Sequence, residues 1–321
     1  SAIAALAVFV LLSLTQTNSA WAAVLTVNSP TDGRDANPGN GVCATSAGTC
    51  TLRAAIQEAN ALPGADTIVL PAGGFSLGIP AANTDTPETG DFDIHFPVTI
   101  VGAGAAATFV DGGNPPPSAD PTARGMDRLF EIHPGSGNVT FRDLTMREGF
   151  TVDDGGAILN WSSGLLRMEN VHVRDSYAGG SGGGLHNADP AAYVWAVQPL
   201  TPPKSGKVEI VNSTFSGNAA GAYGAAVNNG GNGSVSILDG SRIADNPGLM
   251  IPDPTQVIDP LDPEPIEFVP APGTYEPGAG AVSNEGAAEP AGADGAGLHR
   301  SFESGEIATQ VHPFSPGLVR L

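Results

Sequence analysis

The feature that most constrains the fold is a glycine-rich phrase that recurs at a fixed interval. It reads Gly-Gly-Ala-Ile-Leu-Asn at 155–160, Gly-Gly-Gly-Leu-His-Asn at 182–187 and Gly-Ala-Ala-Val-Asn-Asn at 224–229, with a weaker copy at 279–284. The first two copies are 27 residues apart, and the third follows after 42, which is 27 plus an insertion of 15 placed within 188–205. A fixed short period is typical of a solenoid, in which each repeat forms one coil.

The segments between the phrases support this interpretation, because alignment at the repeat places apolar residues over apolar residues. The columns are Phe141, Met168, Ile210 and Ile237, then Met146, Val173 and Phe215, and then Leu144 and Val171. Parallel strands stack about 4.8 Å apart, so each column becomes an apolar ladder inside the cylinder. We predict an all-β parallel β-helix with coils of about 27 residues over 66–248 and a further coil segment at 279–284.

Polar columns mark the corners between strands. Asn and Asp recur at one corner, and these residues tolerate a left-handed backbone and bond to nearby main chain; the column is Asp143, Asn170, Asn212 and Asp239. A ligand-binding column is the alternative interpretation. Because the pattern repeats in every coil, we favour a structural ladder.

The first 22 residues predict a secretory signal. An apolar run at 3–14 is followed by polar residues and by the small-x-small end Ala20-Trp21-Ala22. The run is shorter than the roughly 20 residues that a membrane span needs, which argues against an uncleaved anchor. We therefore expect a secreted or cell-surface chain without a transmembrane segment in its mature part.

Two cysteines, Cys43 and Cys50, are the only ones in the chain. In an exported protein such a close pair predicts a short-loop disulfide. Two thiols without a nearby His or further Cys do not fill the tetrahedron of zinc, which disfavours a metal site there.

A short helix is predicted at 50–60, within an N-terminal region that spans 23–65. Its apolar positions fall at the i, i+3, i+4, i+7 spacing of one helix face, and Thr51 precedes them as a cap; they are Leu52, Ala55, Ile56 and Ala59. A helix this short is marginal alone. We expect it to cover the first open coil, whose edge would otherwise expose unpaired backbone groups.

The residues Cys-Thr-Leu-Arg-Ala-Ala-Ile-Gln-Glu-Ala-Asn at 50–60, followed by 66–73, 90–94 and 98–104, resemble the CSLREA-motif proteins. Thr51 and Ala54 stand where the motif has Ser and Glu. The resemblance implies a right-handed parallel β-helix that is bacterial and secreted or located at the cell surface or outer membrane. The Gly-Gly-Ala-Ile phrase together with Phe-Ser-Gly-Asn at 215–218 is similar to repeats of the polymorphic outer-membrane proteins.

The net charge of the chain limits the classes of partner that we expect it to bind. The formal net charge is −20, which disfavours nucleic acid and anionic membrane surfaces because their phosphates are repelled. We expect extracellular glycans or surface proteins as partners, no nucleic acid and no cofactor, with Ca²⁺ as the one ion that the acidic columns suggest.

One column is a candidate for carbohydrate chemistry. It contains Glu148, Asp175 and Asp245 beside Arg147 and Arg174. Stacked carboxylates are able to hold Ca²⁺, an Arg is able to abstract a sugar proton, and paired carboxylates serve glycoside hydrolysis. Against this hypothesis, no coil is distinguished from the others as an active coil, and enzymatic sites usually break a repeat locally.

The segments that interrupt the 27-residue period are the other candidates for a functional site. Tyr193 and Trp195 lie in the insertion at 188–205, where aromatic residues on a loop favour ligand contact, although packing of that loop onto the coil is the alternative. The segment 249–278 is rich in proline and acidic residues, which predicts a solvated loop. The segment 285–321 shows no coil pattern, and we predict a poorly ordered tail there.

His172 and His186 are predicted as exposed strand residues.

The sequence thus predicts a secreted or surface β-helix with a structural, adhesive or binding role, and it disfavours an enzymatic function. A polysaccharide lyase or glycoside hydrolase is the alternative.

Overall fold

The computed structural model describes residues 22–81, 86–113, 127–188, 206–230, 233–238 and 240–246, and the backbone of five strands beyond residue 246. The predicted signal at 1–22 lies outside the described residues except for its last position. The described part contains one helix, α1 (Leu52–Ala61), and its strands form three parallel sheets and one antiparallel pair.

The first sheet has twelve strands: β1 (Val24–Thr26), β2 (Asp66–Val69), β3 (Gly73–Ser76), β5 (Val98–Val101), β6 (Thr108–Asp111), β8 (Val139–Arg147), β11 (Leu165–Arg174), β14 (Lys207–Val211), β15 (Thr214–Ser216), β18 (Ser234–Leu238), β19 (Arg242–Ala244) and β24 (Leu318–Arg320). The second has seven: β4 (Phe92–Ile94), β7 (Phe130–Ile132), β10 (Ile158–Asn160), β13 (Leu185–Asn187), β17 (Val227–Gly230), β22 (Val282–Glu285) and β23 (Thr309–Val311). The third consists of β9 (Phe150–Thr151), β12 (Tyr177–Ala178) and β16 (Ala219–Ala220), and the antiparallel pair consists of β20 (Met250–Pro252) and β21 (Phe268–Pro270).

The chain visits the three parallel sheets in turn, and each coil pairs with the coil before it. In the first sheet Met168 pairs with Phe141 on one side and with Ile210 on the other, which is the predicted register. All three side chains are fully buried. The predicted fold class, an all-β parallel β-helix with one short capping helix, is confirmed.

The corner column also has the predicted backbone. Asp143, Asn170 and Asn212 have φ values of 58°, 55° and 45°, in the left-handed region that Asn and Asp tolerate. Asn170 donates to the carboxylate of Asp143 at 2.8 Å, and Asn212 donates to Asn170 at 2.6 Å. Asp239 lies outside the described residues.

The glycine-rich phrase is explained by a repeated tight approach. Gly155, Gly182 and Gly224 have φ values of 72°, 71° and 61°. A Cβ at Gly155 would lie 2.6 Å from the carbonyl oxygen of Ile158, closer than carbon and oxygen can approach. The phrase therefore requires glycine for both conformation and space.

The Asn that ends each phrase faces inward and forms a buried ladder. Asn160 donates to Asn187 at 2.7 Å, Asn187 donates to Asn229 at 2.7 Å, and all three are fully buried. The ladder satisfies amide groups that could not otherwise be buried without cost.

Helix α1 is capped by Thr51, whose hydroxyl accepts from the N–H of Ala54 at 3.1 Å, and it packs against β1, β2 and β4. Strand β4 is the edge of the second sheet, and one helix side chain makes two bonds to the backbone in and just after it. Asn60 donates to the carbonyl of Asp93 at 2.7 Å and accepts from the N–H of His95 at 2.9 Å. The helix thus closes the open coil, as expected.

The loop before the helix is held by a buried carboxylate and by the disulfide. Glu58 accepts from the N–H groups of Gly39, at 2.6 Å, and Gly41. Cys43 and Cys50 are joined, which confirms the predicted disulfide. The polar residues of the segment 50–60 therefore hold backbone groups of the cap.

Beyond residue 246, strand β22 continues the second sheet with Val282 beside Val227 and Asn284 beside Asn229. The weak fourth phrase is therefore part of the stack. Strands β20 and β21 pair antiparallel within 249–278. Two strands within 285–321, where the sequence shows no coil pattern, extend the sheets: β23 pairs with β22, and β24 pairs with β18.

Candidate functional site

The acidic column predicted for carbohydrate chemistry lies at a corner of the coils. Glu148, Asp175 and Asp245 have φ values of 59°, 56° and 56°. The strand register places Gly217 between Asp175 and Asp245, and Gly217 has a φ of 67°. One coil thus has glycine at the position where the other three have an acidic residue. The property common to all four positions is the left-handed backbone and not the carboxylate.

The two arginines of this column have acidic partners. Arg147 Nε lies 2.7 Å from Asp111 Oδ2, and its guanidinium lies 5.1 Å from the ring centroid of Phe109. Arg174 pairs with the adjacent Asp175. The residues of the column are therefore in register on neighbouring coils, but both arginines form ion pairs with acidic residues at the surface.

Tyr193 and Trp195, the predicted ligand-contact residues, lie outside the described residues.

A second group of charged residues lies on the outward side of the second sheet, near its β4 edge. Asp91, Asp93, Glu131 and His133 are all buried, although outward positions of a solenoid are usually exposed. Arg128 lies 2.6 Å from Glu131 and 3.4 Å from Asp91. Charged groups are rarely buried unless they are paired or coordinate a metal, so this group differs from the repeated columns.

Burial raises the pKa of the Asp91 carboxyl well above its usual value, and the nearby charge of Asp127 raises it further, while Arg128 opposes the shift. A carboxyl with a raised pKa beside other carboxylates is a pattern of general acids. Asp91 is 1% exposed, however, and its backbone carbonyl accepts from the buried Arg53 at 2.9 Å. The carboxyl of Asp91 is therefore enclosed rather than presented to a polymer.

Three residues of this face bring metal-ligating atoms together. One ligand atom from each of Asp93, His95 and His133 lies within 4.8 Å of the others. Nε2 of His133 lies 2.6 Å from Oδ1 of Asp93, and the rings of His95 and His133 are stacked with centroids 4.1 Å apart. Two imidazoles and one carboxylate are a ligand set for divalent transition metals.

The strand pairing accounts for this arrangement. Strands β4 and β7 pair with Phe92 beside Phe130, Asp93 beside Glu131 and Ile94 beside Ile132. His95 and His133 each follow the last residue of their strand, so they occupy equivalent positions on neighbouring coils. The N–H of His133 bonds to the carbonyl of Ile94 at 2.9 Å and fixes this register.

Sequence reasoning missed this group, although a signal exists. The tetrapeptide Phe-Asp-Ile-His at 92–95 recurs as Phe-Glu-Ile-His at 130–133. The two copies are 38 residues apart, so they fall outside the 27-residue period that organises the later coils.

The two histidines that were predicted to be exposed on strands differ in their burial. His172 is exposed, as predicted, whereas His186 is 7% exposed and the prediction for it was wrong. Nδ1 of His186 lies 3.0 Å from the side-chain amide nitrogen of Asn228 in the next coil. Burial lowers the pKa of His186; the carboxylate of Asp154 opposes this shift, and the charge of Arg128 adds to it.

Comparison of the chain with protein-family models, with curated proteins and with solved structures finds no match. Within the described residues, no helix has the length and apolar character needed to cross a membrane.

Proposed function

We propose that the chain is a secreted or cell-surface β-helix protein of the CSLREA-motif type that serves a structural, adhesive or binding role and catalyses no reaction. The observation that carries this proposal is that its repeated polar residues bond to one another or to backbone. Asn160, Asn187 and Asn229 form the buried ladder, and Arg174 pairs with Asp175 beside it in the chain. Residues engaged in this way build a rigid scaffold and leave few groups for chemistry.

The location at or outside the cell surface is supported by two features. The apolar run at 3–14 with its small-residue end is typical of a secretory signal. The disulfide between Cys43 and Cys50 is of the kind that persists in oxidising compartments.

The expected partners are extracellular glycans or surface proteins. Function on a solenoid is concentrated where the period breaks, because loops on a rigid scaffold present groups that the repeat does not use. We assign the contact to the insertion at 188–205, with Tyr193 and Trp195 as its aromatic anchors, since such side chains supply large contact area at interfaces.

The test is a binding measurement combined with a turnover measurement on the same panel. The mature, tag-free protein is presented with polysaccharides, including acidic ones, and with extracellular matrix proteins, with and without Ca²⁺. Retention and release of unsaturated or reducing sugars are both recorded. We expect retention of at least one class without release of product.

Two variants make the outcome specific. Tyr193→Ala combined with Trp195→Ala is expected to lower retention at least about tenfold, because large aromatic anchors dominate such contacts. Arg147→Gln is the control and is expected to leave retention unchanged. Time-dependent release of sugars that is lost in Arg147→Gln or Arg174→Gln would instead establish the carbohydrate-active alternative.

A further inference from the structure

We propose that Asp93, His95 and His133 form a binding site for one divalent transition-metal ion, with Zn²⁺ as the ion that fits the ligand set best. This inference is independent of the proposed surface role, because it depends only on the β4 edge of the second sheet. Neither the repeat nor any predicted column of the chain includes these residues.

The separations suit a single ion. The three ligand atoms lie within 4.8 Å of one another. Tetrahedral zinc with bonds of about 2.0–2.1 Å holds its ligands about 3.3 Å apart. Coordination requires the Nε2–Oδ1 pair of His133 and Asp93 to open from 2.6 Å and the stacked imidazole rings to tilt until their in-plane lone pairs converge on the ion. These are side-chain rotations, and the pairing of β4 with β7 stays as it is.

A second observation points to a missing ligand. Oδ2 of Asp93 is buried and has no hydrogen-bond partner in the described structure, and the whole residue is 2% exposed. A buried carboxylate oxygen without a partner is costly, because it has lost its water and gained nothing in return. A metal ion at this position would supply the missing partner.

The surroundings hold the ligands in place. Asn60 of α1 binds the backbone of both Asp93, at 2.7 Å, and His95, at 2.9 Å. Backbone positions fixed in this way lower the ordering cost of coordination, as residues around metal ligands commonly do.

The competing interpretation is an ion pair alone, since Nε2 of His133 already lies 2.6 Å from Oδ1 of Asp93. If that nitrogen coordinates the ion, the proton it carries toward Asp93 must leave to solvent. Binding therefore releases a proton and weakens as the pH falls. Three protein ligands leave the fourth position of a zinc tetrahedron to water.

No thiol in the chain competes with this site, because the only two cysteines are joined in the disulfide. Ca²⁺ and Mg²⁺ are poor occupants, since both prefer oxygen ligands to imidazole. The two ions therefore serve as negative comparisons for Zn²⁺ in one assay.

The experiment is a Zn²⁺ titration of the tag-free full chain after treatment with chelator, in competition with a chromophoric zinc indicator. We expect one tightly bound ion per chain. The variants His95→Ala and His133→Ala are each expected to lower the affinity by more than about 100-fold. His172→Ala is the matched control, because this histidine is exposed on the first sheet, and it is expected to bind as the native chain does.

Misfolding is separated from ligand loss by Asp93→Asn, which preserves the shape of the side chain, and by thermal unfolding of every variant. Zn²⁺ at about a hundredfold excess over its dissociation constant is expected to raise the melting temperature of the native chain and of His172→Ala by several degrees. A folded His95→Ala variant is expected to show no such rise. Absence of binding by the native chain, or binding that survives in both His95→Ala and His133→Ala, would reduce the group to an ion pair and overturn the inference.

Discussion

Arg53 and Asp32 form a two-bond ion pair from which solvent is excluded. The Nε–Oδ1 and Nη2–Oδ2 distances are 2.7 and 2.9 Å, and both side chains are 1% exposed. The same guanidinium donates to the carbonyls of Gly90 at 2.6 Å and Asp91 at 2.9 Å and lies over the ring of Phe92. Arg53 therefore joins the capping helix, the N-terminal loop and the first strand of the second sheet.

Replacement of Arg53 by Met should lower the free energy of unfolding by about 3–5 kcal/mol, because Asp32 would keep a buried charge without its partner. Urea unfolding followed by circular dichroism measures the change. Arg167→Met is the matched control: Arg167 lies 2.8 Å from Glu209, but its side chain is 34% exposed, so its loss should cost less than about 1 kcal/mol. Equal effects in the two variants would contradict the assigned role of Arg53.

The buried ladder of Asn side chains should contribute far more to the free energy of unfolding than the exposed corner ladder. Asn187→Ala removes the acceptor of the buried Asn160 amide N–H and the donor to the buried side-chain oxygen of Asn229, so we expect a loss of about 2–4 kcal/mol in the free energy of unfolding. Asn212→Gly is the control, because glycine accepts the φ of 45° and the lost bond to Asn170 is exposed. A change below about 1 kcal/mol is expected there. Similar losses in both variants would show that burial is not the deciding factor.

The disulfide should stabilise the cap by restricting the unfolded chain. Cys43 and Cys50 are separated by 7 residues in sequence, and a loop this short predicts about 2–3 kcal/mol. The measurement is urea unfolding of the native chain and of Cys43→Ser combined with Cys50→Ser. A midpoint that does not move would show that the loop is held by Glu58 and its other bonds instead.

His186 should make stability depend on pH. Its pKa is lowered in the folded chain, so its contribution is fully present above the unfolded value near 6.5 and is lost as the pH falls through the folded value. The native chain should therefore lose stability on mild acidification, and His186→Asn, which copies the residue at the same position of the next coil, should lose less. Melting temperatures of both proteins across the acidic range test this. Identical pH profiles would assign the effect to other groups.

The architecture was predictable because the repeat fixes the register. A slip of one residue would turn every inward side chain outward, so only one alignment buries Phe141, Met168 and Ile210 together. The capping helix was predictable for a similar reason, since the spacing of Leu52, Ala55, Ile56 and Ala59 defines one apolar face.

The buried polar face was not predictable in the same way. Alternation along a strand assigns His186 to the outward side, but it does not say whether that side is covered. The group of Asp93, His95 and His133 arises from coils whose spacing of 38 residues differs from the repeat, so column alignment does not bring these residues together. Their proximity follows from the pairing of β4 with β7.

We infer that the acidic corner column is retained for its backbone conformation rather than for ligand chemistry. Asp175, with a φ of 56°, tests it most directly through urea unfolding and through thermal unfolding with millimolar Ca²⁺. We predict that Asp175→Gly keeps the native stability within about 0.5 kcal/mol, that Asp175→Ala loses about 1 kcal/mol, and that Ca²⁺ shifts none of the three melting temperatures. A rise in the melting temperature of the native chain with Ca²⁺ that disappears in Asp175→Gly would contradict the claim.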